Sequence, residues 1–290
     1  MSLLSFYRVT AAATMLACIP LAHAQLRLLE NYAPVTQYGN DDDSTDALGF
    51  GFSVNLFGAN YSELYLNNNG NVTFAFPSGL GNPSSINGGL AQQGGPVLAP
   101  FFADVDTTYT GALSYGMGTI GAFNAFVVNW TDVAAYGSGL QPGLLNTFQL
   151  FMLDRSDTGA GNFDFEFNYT KIQWDEGGNS AGVTALTGFS DAASSNFLLS
   201  GSGVSGSFLD DGLPNNSLIQ NMLGAPFDGA AMDGRYAFNV RDGLASFSTP
   251  DLPGGGGTSS VPDHGPAGLG TGVLAALVLL HRGKRASSAE

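Results

Sequence analysis

Carboxylates are the chemistry-bearing side chains of this sequence. Asp41-Asp42-Asp43-Ser44-Thr45-Asp46 sets four of them in six residues, and Asp104 and Asp106 stand two apart in Ala103-Asp104-Val105-Asp106-Thr107. Clustered carboxylates repel one another, and with hydroxyl neighbours they make the oxygen-rich surroundings that Ca2+ needs for its roughly six to eight ligands. The functional expectation is a calcium site at Asp41, Asp42, Asp43 and Asp46, joined by Asp104 and Asp106 where the fold brings them near. The plain alternative is a solvated acidic loop. Asp104 and Asp106 admit a second chemistry, because alternate residues of a strand project from one face about 7 Å apart, close enough for a glycosidase-like pair. A raised-pKa acid needs a pocket that the sequence does not show, and the Thr107-Thr108 context suits acids that close a strand and cap the next turn. Asp154-Arg155-Ser156-Asp157-Thr158-Gly159 imitates the start of an EF-hand loop, but its twelfth position is Phe165, so a hairpin turn is expected there.

Histidine and cysteine chemistry is excluded from the middle of the chain. His23, His264, His281 and the single cysteine, Cys18, all fall outside residues 25–260. Ser-His-Asp, Cys-His and histidine-based metal sites therefore have no parts to be built from. Arg8, Arg282, Lys284 and Arg285 lie outside this span, as do Asp263 and Glu290, which leaves five basic residues against twenty-two acids. So acidic a surface repels phosphate backbones, so nucleic acid is not an expected partner. Trp130 and Trp174 are candidate sugar-stacking rings, though an aromatic at a strand end is more often core.

These groups must be positioned by strands. Forty-one glycines with abundant Phe, Asn, Ser and Thr suit many strands joined by tight turns. Phe163-Asp164-Phe165-Glu166-Phe167-Asn168-Tyr169 alternates strictly and reads as a half-buried strand. Thr147 to Leu153 alternates with Phe148, Leu150 and Met152 inward, and pairs with it across a polar turn. Leu64 and Leu66 face Val72, Phe74 and Phe76 across Asn69-Gly70. Gly51–Phe57, Ala112–Tyr115, Ala125–Trp130, Val183–Phe189 and Tyr236–Val240 complete about eight to ten strands. The expected fold is all-β, a single sandwich or open barrel over residues 25–245. Ser217–Leu223 is the best short helix, and 78–95 and 193–214 read as loops.

Both ends of the chain read as addresses. Arg8, the apolar run Val9–Ile19 and Ala22-His23-Ala24 form a secretory signal peptide over residues 1–24, cleaved so that Gln25 follows. Residues 246–260, rich in Pro, Gly and Ser, read as a flexible spacer with a reach of about 20 Å. Val261-Pro262-Asp263-His264-Gly265-Pro266 then precedes an apolar helix over 267–280 and a basic tail over 281–290, with Arg282, Lys284 and Arg285 as the membrane stop. Fourteen helical residues span about 21 Å, short of a hydrocarbon core of about 30 Å.

This tail resembles the C-terminal sorting signal read by exosortases, of the PEP-CTERM class in its Val-Pro-Asp-x-Gly variant, with Pro266 where that variant usually has a small hydroxyl residue. The resemblance implies an exosortase-type partner, transient tethering at the inner membrane, and delivery to the cell surface or beyond. The body of the chain resembles the NIDO domain of nidogen, α-tectorin and some mucins. The resemblance is carried by Leu64-Tyr65-Leu66-Asn67-Asn68-Asn69-Gly70, Ala99-Pro100-Phe101-Phe102-Ala103-Asp104-Val105-Asp106, Val127-Val128-Asn129-Trp130, Asn146-Thr147-Phe148-Gln149-Leu150 and Phe167-Asn168-Tyr169, in family order over roughly residues 30–245. It implies an extracellular, adhesive or matrix-associated role without enzymatic activity, and it supplies no partner from the animal proteins. The partner expected at the cell surface is an extracellular polysaccharide or a matrix or surface protein. The rival expectations are a carboxylate-dependent glycan hydrolase and a purely structural surface protein.

Overall fold

The computed structural model describes residues 25–78, 89–92, 95–137, 143–177, 184–193, 196–212, 216–248 and 258–260. Its strands are β1 (Val35–Thr36), β2 (Leu48–Leu56), β3 (Ala59–Asn67), β4 (Asn71–Thr73), β5 (Val97–Phe102), β6 (Val105–Asp106), β7 (Ala112–Ile120), β8 (Phe123–Ala135), β9 (Asn146–Asp154), β10 (Phe163–Ile172), β11 (Leu186–Ser190), β12 (Asn196–Leu198), β13 (Arg235–Arg241), β14 (Leu244–Ser248) and β15 (Thr258–Ser260). They form two antiparallel sheets. The larger runs β1-β7-β8-β9-β10-β13-β14-β15, with β6 paired to the far end of β8, and the smaller runs β12-β11-β5-β4-β3-β2. The all-β sandwich expected from alternation and turn chemistry is what forms. No helix among the described residues is long and apolar enough to cross a membrane.

One aromatic layer joins the sheets. Phe163, Phe165, Phe167 and Tyr169 of β10 pack with Phe126, Trp130, Phe148 and Phe238 of the large sheet and with Phe50, Leu66, Val72 and Phe101 of the small one. Their rings meet at centroid separations such as 4.8 Å for Phe165–Phe238 and 5.3 Å for Phe101–Phe148, within the range where aromatic pairs attract beyond simple burial. Pro100 sits in the central strand β5 at a register shift opposite β11, the place where a missing N–H is tolerated. Its carbonyl accepts from the Tyr169 hydroxyl at 2.6 Å and the Thr187 hydroxyl at 3.0 Å, tying the sheets together through the core.

Three expectations change on this frame. The strand β10 is buried on both faces rather than half buried. Its polar side, Asp164, Glu166 and Asn168, is roofed by the segment after Gln25 and by Arg155, Arg235 and Arg241. Ser217–Leu223 forms turns instead of a helix, because its backbone groups bond outward, Leu218 N–H to Phe208 and Leu223 N–H to Arg235. The strand after Gly70 ends at Thr73, so Phe74 turns into the core while Phe76 is exposed. Trp130 and Trp174 take the core positions that strand-end aromatics usually take, with indole N–H groups bonding the carbonyls of Asn68 and Val133, both at 3.0 Å, which leaves neither free to stack on a sugar.

β14 continues the sheet to Ser248, and β15 pairs with it through Ser246 and Ser260. The signal peptide, with Ala22 and Ala24, lies outside the described residues. So do the sorting motif Val261, Pro262, Asp263 and Gly265, the apolar segment 267–280, and Arg282, Lys284 and Arg285.

Candidate functional site

Three chain segments meet at one end of the sandwich. They are the acidic loop at 40–46, the turn Asn67-Asn68-Asn69-Gly70 between β3 and β4, and the connection at 103–108 between β5 and β7. The turn closes because Gly70 adopts φ +76°, and a β-carbon there would stand 1.8 Å from the Phe101 carbonyl oxygen. No other residue type fits that position.

Buried asparagines hold the acids in place. The Asn68 amide donates to the carbonyls of Asp41 and Val105, both at 2.5 Å, and its oxygen accepts from the Thr107 hydroxyl at 2.9 Å. Asn69 donates to the Asp42 carboxylate at 2.9 Å and accepts from Val105 N–H at 2.7 Å. Asn68 thus bonds both acidic segments at once, and its own carbonyl is held by Trp130. These asparagines were quoted above as family landmarks but not as positioning residues. The signal for that role is three consecutive asparagines before a turn glycine, more polar groups than a tight hairpin needs for itself.

Of the predicted acids, Asp41, Asp42 and Asp104 come together, each offering a carboxylate oxygen within 4.8 Å of the others. Asp104 is buried in the bend between β5 and β6, with its carbonyl accepting from Tyr136 N–H at 2.8 Å. Gly177 packs on it so closely that a β-carbon would lie 2.7 Å from that of Asp104. Asp106 stands outside the trio, though near enough for its charge to act on Asp41, and caps Thr108 N–H at 2.8 Å, the turn-capping alternative expected for it. Asp43 and Asp46 are exposed and stand outside the trio.

The field at this corner is unbalanced. One carboxylate oxygen of Asp41 is fully buried without a hydrogen-bond partner. Burial, then the charges of Asp42, Asp106 and Asp104, push the Asp41 carboxyl up to about 7. All five described cations are paired with other acids: Arg27, Arg155, Lys171, Arg235 and Arg241 bond Glu166, Asp228, Asp157, Asp132 and Asp164. A hard cation with oxygen ligands is the species this trio is chemically suited to hold.

Beside the trio lies a pocket of about 40 Å³ lined by Gln37, Tyr38, Asn40, Asp43, Ser44 and Thr45 among others. It is too small for a glycan residue to enter whole, since small-molecule sites usually enclose roughly 300 Å³ or more.

The comparisons with known proteins fall on these elements. Residues 22–203 match the NIDO-related family, a span that takes in the acidic loop, the asparagine turn and the connection at 103–108. The chain belongs to the NIDO-related family. Human alpha-tectorin is 31% identical over 187 residues, 54% of this chain and 8% of that protein. Mouse nidogen-2 is 30% identical over 149 residues, 41% of this chain and 10% of that protein. The chain spans a tenth or less of the length of these relatives. No solved structure matches it. The NIDO-related match stops at residue 203, whereas the sandwich continues through β13 and β14.

Proposed function

We propose that this NIDO-related domain is an exported, non-catalytic component of a cell surface or extracellular matrix. It acts by binding an extracellular polysaccharide or a matrix or surface protein. The observation that carries this reading is the family match, which spans every residue of the acidic corner and is shared with alpha-tectorin and nidogen-2. The absence of histidine and cysteine from residues 25–260 removes most nucleophile and base combinations, and Asp106 is engaged as a turn cap rather than as the partner of Asp104.

Calcium belongs to the same reading, with Asp41, Asp42 and Asp104 as the carboxylate ligands. Its support is the convergence of three acids about a buried Asp41 carboxylate oxygen without a hydrogen-bond partner, while the described cations all pair with other acids. The signal peptide and the exosortase-type tail supply export, transient inner-membrane tethering and release to the surface.

The test is saturable binding of the full chain to extracellular polymer from the producing cells, first with millimolar calcium and then with chelator. Saturable binding strengthened by calcium is expected. Absence of binding in both conditions overturns the matrix-interaction role. Shortening of the polymer on incubation would favour the glycan hydrolase instead.

A further inference from the structure

Exposed aromatic rings are concentrated at the acidic corner. Among the described residues the exposed ones are Tyr38 (80%), Phe76 (62%), Tyr109 (83%) and Tyr136 (38%). Every one of them hangs from a segment tied into that corner. Tyr38 precedes Asn40, whose N–H bonds the Thr107 hydroxyl at 3.1 Å. Phe76 precedes Ser78, whose N–H bonds the Asn67 side chain at 3.0 Å. Tyr136 donates its N–H to the Asp104 carbonyl. Tyr38 and Tyr109 are the closest linked, because Gly39 packs so tightly on the 107–108 backbone that a β-carbon would stand 2.2 Å from the Thr107 carbonyl oxygen.

Rings left in water at one end of a sandwich whose other aromatics are packed call for a partner with an apolar face. Here the rings alternate along the chain with hydrogen-bonding groups: Asn40 and Asp41 to Asp43 follow Tyr38, and Asp106 to Thr108 precede Tyr109. A protein partner's interface core is depleted of charge, which this surface is not. A pyranose matches both features, since its C–H face is attracted to the electron-rich face of a ring and its hydroxyls bond carboxylates and amides. The pocket beside Tyr38, about 40 Å³, has room for a hydroxyl or hydroxymethyl group, given that about 10–15 Å³ on the same measure admits one water. With every described cation engaged elsewhere, a polyanion is repelled.

We infer that this end of the sandwich is a carbohydrate-binding surface for an uncharged polysaccharide, with Tyr38 and Tyr109 stacking on sugar rings and the pocket beside Tyr38 taking a protruding hydroxymethyl. It rests on the matrix reading for its choice of a polymer partner, and it adds the surface, the sugar chemistry and the residues.

The test is native affinity electrophoresis of the full chain through gels containing dextran, xyloglucan or galactomannan, with alginate as the polyanion and chitosan as the polycation. Retardation by at least one uncharged polysaccharide and none by alginate is expected. The Tyr38→Ala/Tyr109→Ala double variant should weaken that retardation at least tenfold with an unchanged melting temperature, while Tyr109→Phe retains it. Leu244→Ala, exposed on β14, should leave it unaltered. Failure of all three uncharged polysaccharides, retardation by alginate or by chitosan alone, or full retention in the double variant overturns the inference. Binding of the double variant to the cells' own polymer as tightly as wild type would sink this surface while leaving the matrix role standing. Loss of that binding in wild type itself would sink both.

Discussion

The outer face of β10 and the acidic corner both bury carboxylates in an acid-rich chain, yet they solve the problem in opposite ways. On β10, Glu166 is bridged by Arg27 at 2.7 Å and lies 3.6 Å from Arg235, while Asp164 is bonded by Arg155 at 2.9 Å and paired with Arg241 at 2.7 Å. Arg27 is further sandwiched between Phe151 and Phe227, with its guanidinium carbon 5.6 and 5.2 Å from their ring centroids. At the corner, Asp41, Asp42 and Asp104 face one another, with an Asn69 amide on Asp42. The fold thus commits the described positive charges to other acids, four of the five on or beside the β10 face, and gathers three carboxylates at the corner. The difference teaches where an external ligand can add most: a region already balanced internally gains little from a new partner, whereas the unbalanced one relieves repulsion by binding.

The largest effect is expected from Gly70→Ala, which forces a β-carbon into the Phe101 carbonyl and a strained φ at the turn that holds the corner. A loss of about 4 kcal/mol or more in urea unfolding is expected. A loss below about 1 kcal/mol would show that the turn relaxes and that the corner is not rigidly built. Next, Glu166→Ala leaves Arg27 and Arg235 facing a site without its carboxylate, at a cost of about 3 kcal/mol by the same measurement. Near-neutral behaviour there would erase the contrast between the two regions.

Trp130→Phe keeps an aromatic ring at the stacking distance of 5.0 Å from Phe148 but removes the donor to Asn68. It should cost about 1–2 kcal/mol and weaken calcium binding measured by titration calorimetry, because the Asn68 carbonyl loses its buried partner. An unchanged calcium affinity would separate the core from the site.

The prediction sharpest in sign is at Asp41. Its folded-state carboxyl holds a proton up to about 7, above the ordinary value of 3.8, so the folded state binds more protons than the unfolded one between those limits. Its contribution to stability therefore falls as pH rises from about 4 to 7, and is restored on acidification. Asp41→Asn should remove that part of the slope, so the wild-type-minus-variant difference in melting temperature should grow more negative from pH 4 to pH 8 without calcium. Millimolar calcium should stabilise wild type but not the variant at pH 8, where the carboxyl is ionised. A pH-independent difference, or equal calcium stabilisation of both, would place the cation elsewhere.

Much of the fold was legible because its cause is local. The strict alternation of Phe163 to Tyr169 and of Thr147 to Leu153 marks β10 and β9, and Asn69-Gly70 marks a turn, since side-chain direction in strands and the φ of a tight turn depend on near neighbours. The polar face of β10 was misjudged for the converse reason. Asp164 and Glu166 look solvent-facing until Arg27, 139 residues from Glu166 in sequence, is laid over them. The burial of Trp130 and Trp174 was legible from their place at strand ends, but not the carbonyls of Asn68 and Val133 that their indoles bond.

The candidate site divides along the same line. Residue types alone determined that no histidine or cysteine chemistry is available between residues 25 and 260, that strands would dominate, and that carboxylates would be the polar groups of interest, because composition limits chemistry whatever the fold. Only the tertiary structure decided which acids meet. It joined Asp104 to Asp41 and Asp42, sent Asp106 to cap Thr108, left Asp43 and Asp46 outside the trio, and packed the backbone beside Tyr38 against that beside Tyr109. That grouping arises from sheet register and from Asn68 bonding two loops that lie far apart in sequence, and long-range pairing of this kind leaves no mark in local spacing.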